Sequence, residues 1–110
     1  MQQISAQQLA EWLAAARRGE RTVPLLLDVH EPWEHELCLL ADSILMPMQT
    51  VPSRQQELDP DAALVVICHH GMRSMQVAMF LERNGFASLY NLAGGVDAWA
   101  HDVDPAMRRY

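Results

Sequence analysis

The chain has 110 residues, half of them hydrophobic, and a formal net charge of -6, which is enough for one domain with a packed core and no more. Its acidic balance disfavours nucleic acid and anionic membrane as partners. No apolar run approaches bilayer length, Met1-Gln2-Gln3-Ile4-Ser5 lacks the features of a signal peptide, and two cysteines make no disulfide framework, so a cytoplasmic protein with reduced thiols is expected.

Ser5 caps a first helix, and Gln8 completes a capping box. Leu9, Trp12, Leu13 and Ala16 then recur at helical spacing, up to Arg17, Arg18 and a Gly19 stop. Val23 to Val29 predicts a buried strand ending near Asp28. Pro32 to Leu37 starts a short helix with proline in its first turn. Ser43 to Met46 is a further strand closed by Pro47, and Val51 to Leu58 holds another short helix. Ala63-Leu64-Val65-Val66-Ile67 is short, apolar and β-branched, the pattern of a buried strand. A helix from Ser74 to Arg83 follows, then a strand from Ser88 to Leu92. Gly94-Gly95 turns the chain into a last helix, Val96 to Ala100, and the polar tail from His101 to Tyr110 is expected to be loosely held. No repeat or linker divides residues 1–110, so one domain is expected. Strands alternating with helices give an α/β fold, a parallel sheet with helices on both faces.

The active site of such a sheet lies at the carboxyl ends of the strands. Asp28 and Cys68 both stand at such ends, so the two are expected near each other. Cys68 sits between a strand end and a helix N-terminus, where backbone N–H groups and the helix dipole favour the thiolate. The thiolate is the nucleophile, so the run Cys68-His69-His70-Gly71-Met72-Arg73-Ser74 points to cysteine chemistry.

Three segments in order resemble the single-domain rhodanese family of sulfurtransferases. Leu26-Leu27-Asp28-Val29-His30-Glu31-Pro32 is similar to its Asp-Val-Arg-Glu segment, Cys68 to Ser74 to its active-site loop, and Asn91-Leu92-Ala93-Gly94-Gly95-Val96-Asp97-Ala98-Trp99 to its C-terminal signature. The resemblance covers nearly the whole chain. It implies a rhodanese-like five-stranded parallel sheet flanked by helices. It also implies that Cys68 takes up a sulfane sulfur, from thiosulfate or a persulfide donor, and hands it to a thiophilic acceptor. The N–H groups of His69 to Arg73 would wrap around that sulfur. Two departures stand out. His30 replaces the arginine often found after Asp-Val, removing a fixed positive charge from the donor's surroundings. Cys38-Leu39-Leu40-Ala41-Asp42-Ser43 stands where the family has Gly-His-Ile-Pro-Gly-Ala, and Asp42 tolerates unusual backbone angles less well than glycine.

Each site residue then has an expected role. Cys68 is the catalytic nucleophile. Gly71 permits a positive φ or close backbone approach. Arg73 forks onto an oxyanion, His69 and His70 donate hydrogen bonds or tune the cysteine, and Met72 borders the pocket. Asp28 and Ser74 support the loop, and Cys38 is a small core residue. No metal site is expected, because adjacent histidines on a tight loop diverge and no further ligand falls at zinc-like spacing. No cofactor is needed, and the partners are a small-molecule or protein sulfur donor and a thiol acceptor, with the protein a monomer. A non-catalytic sulfur-relay module would use the same loop. A cysteine phosphatase or arsenate reductase on this fold has a loop one residue longer, whereas four residues separate Cys68 from Arg73 here.

Overall fold

The computed structural model describes residues 1–107, and residues 108–110 of the expected tail lie outside it. Five strands, β1 (Gln2–Ile4), β2 (Leu25–Asp28), β3 (Ile44–Leu45), β4 (Leu64–Ile67) and β5 (Leu89–Leu92), form one sheet in the order β1-β5-β4-β2-β3. Every pairing is parallel. The helices are α1 (Ala6–Arg17), α2 (Pro32–Leu37), α3 (Val51–Arg54), α4 (Met72–Arg83) and α5 (Gly95–Asp102), with 3-10 turns on either side of α3. This is the expected α/β architecture, with helices on both faces.

The central strands are apolar throughout and alternate between two cores with the period of two that a pleated strand imposes. Leu26, Val65 and Ile67 face one core with Leu9 and Trp12 of α1 and Val96 of α5. Leu27, Leu64 and Val66 face the other, against Val51 of α3 and Val77, Ala78 and Leu81 of α4. Burial on both faces explains why β4 reads as a continuous run of β-branched and leucine residues. Truncating fully buried Leu81 to alanine would cost about 3 kcal/mol by this logic.

The Ser5–Gln8 capping box forms in both directions, at 3.1 and 2.9 Å. Trp12 donates from its indole to the Thr22 carbonyl at 2.9 Å, which ties α1 to the approach to β2. β1 had no counterpart among the strands read from the residues, because only Ile4 of its three residues is buried. Its pairing with Tyr90, Asn91 and Leu92 makes it a strand. α5 runs two residues beyond Ala100, through His101 and Asp102. Val103 and Met107 then pack against the Trp12 core, so this part of the expected loose tail is tied down. Asp42 has φ 66° and is alone among the described non-glycine residues at positive φ, so the segment lacking glycines still adopts the backbone glycine would favour. Among the described residues no helix is long and apolar enough to cross a membrane.

Candidate active site

β4 ends at Ile67 beside Asp28 of β2, its register partner, so the two strand ends meet as expected. Cys68 follows directly and is buried, with 1% of its surface exposed. The loop turns sharply at Gly71, whose φ is 94°. The turn aims the Gly71 N–H at Cys68 Sγ, 3.1 Å away, and the Ser74 N–H reaches the same sulfur at 3.3 Å. The helix starts at Met72, inside the loop and two residues earlier than the residues suggested, because Gly71 serves as its N-cap. Ser74, one residue beyond the expected ring of N–H donors, thus supplies a donor of its own.

The Cys68 thiol also donates to Ser74 Oγ at 3.3 Å, and Ser74 Oγ donates to Asn91 Oδ1. Asn91 Nδ2 donates to the Gly71 carbonyl at 3.1 Å and to Gln3 Oε1 at 2.8 Å. Ser74 and Asn91 are both buried, so this network ties the loop to β5 and β1. Sequence reading missed the part played by Asn91. Its signal was a polar residue inside an otherwise buried strand, where a partner is obligatory.

The loop is braced from the other side by α5. Val96 N–H donates to the Cys68 carbonyl at 2.9 Å and Asp97 N–H to the His69 carbonyl at 3.0 Å. Gly95 makes this approach possible, because a Cβ there would lie 2.2 Å from the Cys68 carbonyl oxygen and 2.3 Å from that of His69.

Arg73 does not present a vacant fork to an anion. It donates through Nη1 and Nη2 to the two carboxylate oxygens of Glu34, at 2.7 and 2.9 Å. Glu34 is the one buried residue of α2. The residue lies 39 positions away, and sequence reading gave it no role. Met72 borders the cleft as expected, with 64% of its surface exposed.

His30 is fully buried, so it does not contribute to the donor's surroundings as its position suggested. Its backbone N–H donates to Asp28 Oδ1 at 2.8 Å and its Nδ1 lies 2.9 Å from the same oxygen. His35 Nδ1 lies 2.8 Å from Asp28 Oδ2. Burial pushes the Asp28 carboxyl up, but hydrogen bonds from His30 and His35 outweigh it and hold the group below the usual carboxylate range. A depressed folded value means a contribution to stability that is present at neutral pH and lost as pH falls from the ordinary carboxylate range through that lower value. Asp28→Asn is therefore expected to destabilise the fold by about 1.5–3 kcal/mol at pH 7. The deficit should shrink at the acid end of a series of chemical denaturations. An unchanged deficit there would show that the carboxylate charge is not what holds this corner.

His69 and His70 were expected to diverge, and they do not. Their ring centroids are 4.1 Å apart, edge to face. Burial and the neighbouring His70 push the His69 imidazole below its ordinary value, with Asp97 opposing them. Cys38 packs with Leu26 and Ile67, on the sheet face opposite the core that includes Cys68, as a core residue should.

Glu34, Cys68, His69, His70, Met72 and Arg73 line a cleft of about 160 Å³. Larger hollows of about 600 and 430 Å³ lie elsewhere on the surface and are lined by no cysteine. A small cleft over a buried sulfur that receives two backbone N–H groups suits covalent capture of a compact group by Cys68.

A model of the rhodanese-like domain matches residues 9–102. The rhodanese-like/PpiC domain-containing protein 12, chloroplastic, of Arabidopsis thaliana is 38% identical over 89 residues, which span 77% of this chain but only 30% of that protein. A sulfurtransferase of Allochromatium vinosum is 34% identical over 83 residues, 76% of this chain and 78% of its own. The crystal structure of a rhodanese-like domain protein from Staphylococcus aureus superposes with a TM-score of 0.82 at 25% identity, covering 100% of this chain and 99% of that one.

Proposed function

The chain belongs to the rhodanese-like domain family, and from that premise we propose that it is a sulfurtransferase working through a persulfide on Cys68. The observation that carries this reading is the buried Cys68 Sγ with the Gly71 and Ser74 N–H groups aimed at it. In the first step the Cys68 thiolate attacks the outer sulfur of the donor. A new S–S bond forms at Sγ, and the donor's own S–S bond breaks. Sulfite leaves with the electron pair if the donor is thiosulfate, and a thiolate leaves if it is a persulfide. In the second step an acceptor such as cyanide or a thiol attacks the outer sulfur, and Cys68 departs as thiolate. The backbone donors face Sγ, the atom that carries the thiolate charge before the first step and after the second.

Between the two donors, the site favours a persulfide. Thiosulfate is a dianion, yet Arg73 is forked onto Glu34 and His30 is buried against Asp28. The cleft therefore offers little uncompensated positive charge to an oxyanion. At equal concentrations, a persulfide without carboxylates, such as cysteamine persulfide, is expected to load Cys68 about tenfold faster or more than thiosulfate. The reverse order in a rapid-mixing experiment would show that Arg73 grips the anion despite Glu34.

Steady-state turnover of thiosulfate with cyanide tests the catalytic reading. Parallel double-reciprocal lines and one sulfite per thiocyanate are expected of the two-step exchange. Stoichiometric persulfide with negligible thiocyanate would instead make the chain a sulfur-relay module. Hydrolysis of an aryl phosphate that is lost in Cys68→Ser would turn the reading to phosphatase chemistry.

A further inference from the structure

His69 and His70 are neighbours in sequence, and Asp97 lies on another element, the first turn of α5. The fold gathers them. Each offers one ligand atom, and the three atoms all lie within 4.8 Å of one another. The separation of the two segments is set by main chain. The Asp97 N–H donates to the His69 carbonyl at 3.0 Å, beside the Val96 bond to the Cys68 carbonyl. Gly95, without a Cβ, lets the helix end come that close.

We propose that His69, His70 and Asp97 form a binding site for a divalent transition ion of the Zn²⁺ type, at the mouth of the Cys68 cleft. Two imidazoles and one carboxylate are the donor chemistry of borderline ions such as Zn²⁺, Ni²⁺ and Cu²⁺, and they disfavour the all-oxygen ions Ca²⁺ and Mg²⁺. Donors within 4.8 Å of one another put an ion at most about 2.8 Å from each, so all three side chains draw in by up to about 0.8 Å to reach the zinc–nitrogen distance of about 2.0–2.1 Å, the exposed His70 ring having the most room to move. Three protein ligands leave a fourth position open, as in zinc sites that exchange a bound molecule. His69 and His70 also line the cleft that contains Cys68, so an ion held by them would stand beside that cleft. The site does not depend on sulfur transfer by Cys68.

Zinc titration of the chelator-treated full chain carrying Cys68→Ser tests the proposal by calorimetry, with the thiol removed as a competing ligand. One Zn²⁺ per chain is expected, weakened about tenfold or more by His70→Asn and by Asp97→Asn, with circular dichroism confirming that each variant is folded. No binding in the Cys68→Ser background overturns the proposal. So does an affinity unchanged by His70→Asn, a substitution at an exposed position.

Discussion

Gly95→Ala is expected to destabilise the protein by more than about 3 kcal/mol and to lower its melting temperature by about 12 °C. The added Cβ would fall 2.2 Å from the Cys68 carbonyl oxygen and 2.3 Å from that of His69. Both atoms are backbone and neither can rotate away. The residue also has φ 59°, which strains any side chain by about 1–2 kcal/mol more. The only relief is to push α5 off the loop, breaking the Val96 and Asp97 bonds that brace it. Persulfide formation should therefore fail even at temperatures where the variant is folded. Gly19→Ala is the control, since Gly19 also has positive φ but a Cβ there meets nothing within 4 Å. It should cost only about 1 kcal/mol. Equal melting temperatures for the two variants would show that close approach, as opposed to backbone angle, contributes nothing.

Cys68→Ser is expected to lower sulfur transfer by about a thousandfold or more while leaving the melting temperature close to that of the wild type. A serine oxygen keeps the small volume and can accept from Gly71 and Ser74, but it cannot form the S–S bond that carries the group. Cys38 cannot substitute, since it is buried against the other face of the sheet. Residual turnover within tenfold of wild type would mean that the chemistry bypasses Cys68.

These two positions stand at opposite ends of what the residues disclosed. The strand before Cys68 and the turn-forming Gly71 made the place of Cys68, at a strand end over a helix N-terminus, legible, because a β-branched run, a thiol and a glycine together leave few local structures open. The Ser5 capping box made α1 legible for the same local reason. β1 was not legible as a strand, since Gln2 and Gln3 carry no apolar alternation and the strand exists through its pairing with β5. The start of α4 was read late because it is set by the φ 94° cap at Gly71, inside a loop.

The supporting parts of the site were hidden by distance along the chain. Glu34 meets Arg73 across 39 positions, and Asn91 meets Gly71 across 20. Neither local propensity nor spacing encodes such a contact. His30 was read as a change in the charge offered to a donor, whereas the fold turns it inward onto Asp28. Asp97 joins His69 only because α5 docks through its amino end.

The most direct test is the intact mass of the protein after brief incubation with glutathione persulfide or thiosulfate. The account predicts wild-type protein heavier by one sulfur atom, returned to its starting mass by cyanide, and no adduct on Cys68→Ser, in which Cys38 is still present. No adduct on folded wild type with either donor, or an adduct that survives Cys68→Ser, would contradict it.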